Sequence, residues 1–343
     1  MNKITGIIKD PRYFDHKIAQ SSPENPDRIR NLYLTLDGPS YIDKLARFSP
    51  REASSEDVQA IHSKFYLDQI RELALANDPF AYDRDTYLMD ETLYTAHLAA
   101  GGCLELADRI VNGEIDNGFA LVRPPGHHAE PGRGMGFCVL NNVALTAAYL
   151  QKTYGLTRIL VFDFDIHHGN GTQEAFYDTD QVLVSSFHQH NLFPFTGNTE
   201  EIGKDKGAGY TINVPVFSQF GDLEYIFLTA KVIGALVEQF MPQIILVSAG
   251  FDGHVDESIS DTLLSTGWFA TVTSMLKKFA RDSCDGRLLF ILEGGYNPIS
   301  LEASVLTALD SLIDPHIRTI GIPQSERAKQ LLKNHPLHSF WAL

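Results

Sequence analysis

Five short apolar runs, separated by segments of helical periodicity, constrain the fold of this chain more than any other feature. The runs are FALV (119–122), RILVFD (158–163), VLVSSF (182–187), IILVSA (244–249) and LLFILE (288–293). Strands that are apolar on both faces are typical of a parallel sheet covered by helices.

The intervening segments predict those helices. Segments 139–154, 223–240, 267–282 and 301–313 have the i, i+3, i+4 apolar spacing of amphipathic helices. Alternation of strand and helix predicts an α/β fold, in which residues 1–343 form a single domain with an open parallel sheet and helices on both faces.

Charge and composition exclude several classes of partner. Lys and Arg number 28 against 43 Asp and Glu, which gives a formal net charge of −15. This balance argues against non-specific binding to nucleic acid or to anionic membranes. The chain has neither a signal-peptide core near its start nor the run of about 18 apolar residues that spans a membrane. We therefore expect a cytoplasmic protein without nucleic-acid or membrane partners.

The three cysteines give no metal or disulfide pattern. Cys103, Cys138 and Cys284 are widely spaced, and the chain contains no C-x-x-C motif. A disulfide framework or a thiolate metal site is therefore not expected.

Polar side chains follow each of the five apolar runs. In run order they are His127 and His128; Asp163, Asp165, His167 and His168; His188 and His190; Asp252; and Tyr296. Ligands of open α/β sheets bind at the carboxyl ends of the strands. The sequence therefore predicts a functional site at this edge of the sheet.

The stretch LVFDFDIHHGNG (160–171) favours a metal site. Its Asp163, Asp165 and His167 alternate, so a strand would place them on one face, where burial is costly unless the charges are compensated. A divalent cation held by Asp165, His167 and Asp252 would compensate them. Three protein ligands with an open position are typical of catalytic zinc, although an oxygen-rich set also admits iron or cobalt. The alternative is that Asp163 and Asp165 only cap helices or form salt bridges.

Other residues at this edge suit hydrolytic chemistry. His127 and His128 follow a rigid Pro-Pro-Gly and could act in general acid–base catalysis. Tyr296, after Gly-Gly, could donate to a developing oxyanion. Phe137 and Phe193 could form the walls of a narrow apolar channel. Taken alone, a histidine is usually structural, each phenylalanine is usually part of the core, and Tyr296 could be a core tyrosine; the interpretation depends on their occurrence together.

Several long motifs carry a family resemblance. They are SSPENPDRIR, RPPGHHAE, GMGFCVLNNVA, FDFDIHHGNGTQEAFY, VSAGFDGH and LEGGYN. With these motifs, from about residue 10 to about 310, the chain resembles the histone deacetylase superfamily of the arginase–deacetylase fold. It is most similar to class II and bacterial histone deacetylase-like amidohydrolases, which include acetylpolyamine amidohydrolases. The resemblance implies zinc-dependent removal of acetyl groups from acetyl-lysine or acetylpolyamine.

The resemblance also implies roles for individual residues. Asp165, His167 and Asp252 would hold one zinc ion. His127 would bond to Asp163 and act mainly as an electrostatic stabiliser, whereas His128 would bond to Asn170 and act as the base and acid. Tyr296 would bind the substrate carbonyl. Further matches are Gly136, Phe137 and Phe193 to the acyl-lysine tunnel, Asp85 to a rim residue that holds the substrate backbone, and Arg28 to an internal channel.

One or two potassium ions are implied in the same way. Residues that match the first potassium site are Asp163, Asp165, His167, Ser186 and Phe187. Residues that match the second are Phe176, Thr179, Val182 and Tyr210.

The chain departs from the family pattern after Asp252. Class II members continue there with Asp-Pro and a Gly-rich turn, whereas this chain reads HVDESISD (254–261). The register of Asp256–Asp261 is therefore open, with the distal substrate contact near Ser258 or Ile259. Glu257 is close by, and a glutamate at the rim would favour a cationic polyamine.

Two other functions remain compatible with the sequence. One is an arginase-like ureohydrolase with two manganese ions, and the other is a non-catalytic protein that binds acetyl amides. The residues before about 100 could form loops that shape the rim or a homodimer contact.

Overall fold

The computed structural model describes residues 4–17, 22–76, 82 and 85–343. The strands in this part of the chain are β1 (Thr5–Ile8), β2 (Leu45–Phe48), β3 (Asn117–Ala120), β4 (Ile159–Asp163), β5 (Val182–Gln189), β6 (Thr211–Val216), β7 (Ile244–Ala249) and β8 (Leu288–Leu292). They form one parallel sheet in the order β2-β1-β3-β8-β7-β4-β5-β6. The predicted parallel α/β fold is therefore confirmed.

Helices surround the sheet. The α-helices of the described chain are α1 (Asp27–Asp37), α2 (Ser55–Val58), α3 (Lys64–Leu75), α4 (Asp90–Val111), α5 (Asn142–Tyr154), α6 (Asn170–Ala175), α7 (Asp222–Leu228), α8 (Gly234–Phe240), α9 (Thr266–Cys284), α10 (Pro298–Ile313), α11 (Glu326–Lys333) and α12 (His338–Trp341). Short 3₁₀ turns lie at Pro11–Phe14 and Asp205–Gly207. Every residue of β4, β7 and β8 is buried, so both faces of the central sheet are covered.

The five predicted strands are β3, β8, β7, β4 and β5, which are contiguous at the centre of the sheet. The strands that the sequence patterns missed are β1 and β2 toward one edge and β6 at the other. β1 and β2 have only four residues each. β6 contains Pro215, which is tolerated there because β6 is an edge strand.

Two other expectations concern the first hundred residues and the helix over 223–240. The described part of the segment before residue 100 does not consist of loops alone, because it contains β1, β2, α1, α2, α3 and the start of α4. The helix predicted over 223–240 is present, and a π-helical turn at Thr229–Ile233 lies within it between α7 and α8. The other three predicted helices correspond to α5, α9 and α10.

Two further observations concern membrane-spanning helices and the cysteines. Among the described residues, no helix combines the length and apolar character that crossing a membrane requires. Cys103, Cys138 and Cys284 are buried and free.

The parallel topology brings the predicted site residues together. Because all eight strands run in one direction, the loops after β3, β8, β7, β4 and β5 leave the same edge of the sheet. Asp163, the last residue of β4, is in register with Ser186 of β5 and Ser248 of β7. The residues after these positions form the candidate site.

Candidate active site

Three side chains converge beyond the ends of β4 and β7. Nδ1 of His167 lies 3.0 Å from Oδ1 of Asp165 and 3.1 Å from Oδ2 of Asp252. Their ligand atoms all lie within 4.8 Å of one another, and no other described group of three His, Cys, Asp or Glu residues has this spacing. These are the three residues predicted as metal ligands.

A zinc ion fits this set. Asp165 and Asp252 are both 0% exposed. Burial, followed by the charge of Asp165, raises the pKa of Asp252 to about 6 although His167 lies against both carboxylates, so a further cation would stabilise the pair. Two carboxylates and one imidazole form a donor set that could hold a zinc ion. A Cβ at Gly294 would lie 2.2 Å from Oδ2 of Asp252 and 2.5 Å from Oδ2 of Asp165, so only glycine leaves these oxygens room.

The same carboxylates also hold the surrounding backbone. Oδ1 of Asp165 accepts the N–H of His167 at 2.9 Å, and Oδ2 accepts the N–H of Gly294 at 2.8 Å. Oδ1 of Asp252 accepts the N–H of Ile166 at 3.0 Å. The loops after β4, β7 and β8 are thereby tied to one another at the ligand cluster.

His127 has a charged partner. Its Nδ1 lies 3.0 Å from Oδ2 of Asp163, and its Nε2 lies 3.8 Å from Oδ1 of Asp165. Burial disfavours the charged ring, but these two carboxylates outweigh it and raise the pKa of His127 to about 10. Oε2 of Glu293 accepts the backbone N–H of Gly126 at 2.7 Å and of His127 at 3.2 Å. These bonds hold the loop after β3 that carries the two histidines, which we call the histidine loop.

His128 has a neutral partner. Its Nδ1 lies 2.8 Å from Oδ1 of Asn170, whose Nδ2 donates to Oε1 of Glu130 at 2.7 Å. A carboxylate only accepts, so Glu130 orients the Asn170 amide with its carbonyl toward His128. His128 must then carry its proton on Nδ1, which leaves Nε2 free to accept one. Burial, followed by positive charge on His127 and His167, lowers the pKa of His128 well below its usual value.

Aromatic side chains and a glycine surround the histidines and Tyr296. The Phe193 ring lies 5.2 Å from the His128 ring, and Phe137 lies 5.8 Å from the half-buried Tyr296. Gly136 has a φ of +53°, and a Cβ there would lie 2.6 Å from His128 Cδ2 and 2.8 Å from Phe193 Cε1. The predicted channel residues are thus placed together against the proposed catalytic groups. Burial, with the Asp252 and Asp165 carboxylates nearby, raises the pKa of Tyr296 well above its usual value, so its hydroxyl stays protonated.

Arg28 lies behind the loop between β8 and α10 that carries Tyr296, which we call the tyrosine loop. Its Nε donates to the Gly295 carbonyl at 2.8 Å, and its Nη2 donates to the Glu293 carbonyl. Its guanidinium carbon lies 5.1 Å from the Tyr296 ring centroid. Arg28 also pairs with the buried Glu24 at 3.1 Å. The structure places Arg28 beside the site, and its role in a channel stays a prediction.

The residues matched to potassium sites are neighbours in the fold. Asp163 and Ser186 face each other across β4 and β5, and the Ser186 hydroxyl lies 2.9 Å from His188 Nδ1. Phe187 packs in the core, 4.9 Å from Phe162. Potassium at this position stays a prediction.

Potassium binding by the second set of matched residues also stays a prediction. The Phe176 carbonyl accepts the Thr179 N–H at 3.4 Å, Val182 begins β5, and the Tyr210 carbonyl accepts the Val184 N–H at 2.9 Å. Asp85 is exposed and adjoins residues 83 and 84, which lie outside the described residues. Its contact with a substrate backbone also stays a prediction.

Glu257 is not the free rim carboxylate that the sequence suggested. It is only 8% exposed, and its Oε1 accepts the backbone N–H groups of Tyr296 at 2.7 Å and Asn297 at 2.9 Å. A carboxylate that satisfies two backbone donors is not free to meet a substrate ammonium. Ser258 is exposed and Ile259 half-buried, so a distal substrate contact at either residue stays a prediction.

Sequence reasoning did not find the supporting role of three carboxylates. They are Glu130, Glu257 and Glu293, which orient Asn170, the tyrosine loop and the histidine loop. Glu130 and Glu293 stand inside the motifs RPPGHHAE and LEGGYN. Glu293 also directly follows the apolar strand β8, where a buried carboxylate is expected to be hydrogen-bonded. Glu257 had no such signal, because its partners are about 40 residues away in the chain.

Comparisons with known proteins agree on one family. The family described as "Histone deacetylase domain" matches residues 22–312. A probable deacetylase of Archaeoglobus fulgidus is 39% identical over 300 residues, which are 86% of this chain and 82% of that protein. Histone deacetylase 4 of Caenorhabditis briggsae is 36% identical over 341 residues, which cover 90% of this chain but only 38% of that protein. The crystal structure of the HDA15 HD domain superposes with a TM-score of 0.88 at 32% identity, covering 99% of this chain and 97% of that one.

Proposed function

The chain belongs to the histone deacetylase family, and we propose that it is a zinc-dependent deacetylase that hydrolyses the amide of acetyl-lysine or acetylpolyamine. The observation that carries this proposal is the convergence of Asp165, His167 and Asp252 beside the tandem histidines. Residues 1–343 act as one catalytic domain in this proposal, with cytoplasmic location and a homodimer as further expectations.

Asp165, His167 and Asp252 would hold the zinc ion. When bound, zinc supplies Lewis-acid polarisation of a substrate carbonyl and lowers the pKa of water. The cluster supports one such ion, since His168, the next residue along, has both ring nitrogens engaged. They lie 2.8 Å from Thr196 Oγ1 and 3.0 Å from Gln173 Oε1. The dimanganese alternative therefore gains no support from His168.

His128 is the proposed base and acid. Its Nε2 is the nitrogen left without a proton by the bond to Asn170. It accepts a proton from the attacking water and then donates that proton to the leaving amine. The low pKa of His128 keeps the ring neutral before attack.

His127 and Tyr296 stabilise charge in this mechanism. His127, bonded to Asp163, remains positively charged and offsets negative charge as it develops on the substrate. Tyr296 keeps its proton and donates a hydrogen bond to the developing oxyanion. The products are acetate and a primary amine.

The channel supports a slender acyl-amine substrate. Phe193 lies against His128 and Phe137 against Tyr296, where they would form apolar walls, and Gly136 lets His128 and Phe193 pack closely against the backbone. Such a channel suits the methylene chain of a lysine side chain or of a polyamine. One or two potassium ions, held by the two residue sets above, would have a structural role.

Turnover of defined amides tests this function. Purified protein should hydrolyse an acetyl-lysine peptide, lose activity on chelation, and recover it with one equivalent of zinc per chain. A panel of acetyl-lysine peptide, acetylputrescine and longer acyl-lysines, compared by kcat/KM, identifies the substrate class. Binding without turnover would support the non-catalytic alternative, and a requirement for two manganese ions would support the ureohydrolase.

A further inference from the structure

The backbone around Tyr296 needs an external anchor. Two glycines, Gly294 and Gly295, precede it, and Gly295 has a φ of +115°, so the loop from β8 to α10 has little intrinsic stiffness. Gly294 is tied to Asp165 and Gly295 to Arg28. The N–H of Tyr296 itself donates to Glu257.

Glu257 reaches this loop from the other side of the site. It belongs to the segment that follows β7, which also carries the metal ligand Asp252. Its single oxygen Oε1 accepts both Tyr296 N–H, at 2.7 Å, and Asn297 N–H, at 2.9 Å. Charge-assisted hydrogen bonds to backbone donors are about twice as strong as neutral ones, and this pair is shielded from water.

The segment that carries Glu257 is itself held in place. The Glu257 N–H donates to the His254 carbonyl at 2.9 Å, and the Ser260 hydroxyl donates to the Asp252 carbonyl at 2.9 Å. The Asn297 side chain donates to the Asp256 carbonyl at 3.1 Å, which adds a second link between the two loops. Glu257 thus connects the hydrogen-bonded segment after β7 to the tyrosine loop.

From this geometry we infer that Glu257 is a positioning residue that holds Tyr296 at a set distance from the metal ligand Asp252. The inference rests on the proposed function, in which Tyr296 donates to the oxyanion. Hydrogen bonds aimed at an oxyanion act only at the right distance, and a displacement of about 1 Å can cost about a hundredfold in rate. Glu257 would therefore act on kcat through Tyr296 without touching the substrate.

The variants Glu257→Ala and Glu257→Gln separate anchoring from charge. Glu257→Ala removes the acceptor, and we expect kcat to fall about ten- to a hundredfold with KM within about threefold and zinc retained. Glu257→Gln keeps a carbonyl oxygen for both N–H groups, so it should restore most of the activity. Should Glu257→Ala not fold, Glu257→Asp withdraws the acceptor by one methylene and tests the same point.

Asp256→Asn is the matched control. Its side chain is 65% exposed, and the link from Asp256 to Asn297 uses only its backbone carbonyl. It removes a neighbouring negative charge from the same loop, and its activity should stay within about twofold of the parent. An equal loss in Asp256→Asn and Glu257→Ala would show that general loop charge, rather than the anchor, is responsible.

Combination with Tyr296→Phe tests whether Glu257 acts through the tyrosine. In that background, Glu257→Ala should cost less than about a further twofold, because the hydroxyl it positions is already absent. The same loss in both backgrounds would overturn the inference. Loss of zinc from Glu257→Ala would also overturn it, as would a raised KM for acetylputrescine alone with kcat unchanged.

Amide hydrogen exchange at Tyr296, measured on zinc-loaded protein, distinguishes failure of this inference from failure of the proposed function. Exchange should be faster in Glu257→Ala than in the parent and in Glu257→Gln. If the parent hydrolyses neither an acetyl-lysine peptide nor acetylputrescine, the proposed function fails while this measurement still decides the anchoring. Unchanged exchange in Glu257→Ala would overturn it.

Discussion

The two sides of the tandem-histidine pair differ in charge although they are one residue apart. On one side, His127 bonds to the buried carboxylate of Asp163. On the other, His128 bonds to the neutral amide of Asn170. The ring centroids are only 3.9 Å apart, so protonation of one ring disfavours protonation of the other.

The difference shows that hydrogen-bond partners and neighbouring charges can give two histidines different protonation states and therefore different roles. Asp163 favours the charged form of His127, whereas burial and neighbouring positive charge favour the neutral form of His128. Groups whose environments separate their pKa values can serve as acid, base and electrostatic stabiliser in one site. We therefore expect substitutions on the two sides to have unequal effects.

The largest effect should come from removing a proposed metal ligand, because the proposed roles of both histidines depend on the metal site. Asp252→Ala deletes one of three ligands, and we expect metal binding and activity to be lost together. Loss of a residue that only hydrogen-bonds to a metal ligand typically costs about 10- to 100-fold in metal affinity, and loss of the ligand itself should exceed this. Elemental analysis checks the result, and full zinc occupancy in the variant would contradict the ligand assignment.

The next effect separates the two histidines. His128→Ala removes the proposed base, and proton transfer of this kind contributes about 10²- to 10⁴-fold to rate. His127→Ala should cost less in kcat, because it removes charge stabilisation but leaves the base. Both variants should retain zinc. If His127→Ala is the more damaging change, the roles are reversed.

Tyr296→Phe separates oxyanion stabilisation from proton transfer. Loss of one oxyanion donor typically lowers kcat about a hundred- to a thousandfold. Because the hydroxyl acts on developing charge, KM should change less than kcat, and zinc should remain bound. Steady-state kinetics check this, and a variant within threefold of the parent would mean that Tyr296 points elsewhere.

The smallest effect should be a change in pH dependence. Asn170→Asp places a carboxylate against His128 and raises its pKa, since the opposite charge favours the protonated ring. The base must be deprotonated for attack, so the acidic limb of the pH–rate profile should move to higher pH. An unmoved limb in Asn170→Asp would contradict the assignment of His128 as the base.

The sequence was most informative where local pattern determines structure. The five central strands are apolar on both faces, and their polar ends carry the ligands, His127, His128 and Tyr296. The edge strands β1, β2 and β6 were missed because short or proline-containing strands leave little pattern. In the site, the partners of the histidines were predicted through the motifs.

Hydrogen bonds between residues far apart in the chain could not be predicted from the sequence pattern. The contact of Glu257 with Tyr296 joins residues 39 apart in the chain, and nothing in HVDESISD indicates which residue turns inward. The same holds for Glu130, whose bond to Asn170 orients an amide 40 residues away. Such contacts depend on the relative placement of loops, which only the folded sheet defines.

The protonation states of the two histidines test the central claim most directly. Histidine-selective NMR of zinc-loaded protein, with His127→Ala and His128→Ala used for assignment, gives the pKa of each ring. The charge of zinc lowers both pKa values, so the difference between them is the quantity that matters. We predict that His127 titrates at a higher pH than His128, and that neutral His128 carries its proton on Nδ1. Equal pKa values, or a higher value for His128, would contradict the division of roles between the two sides.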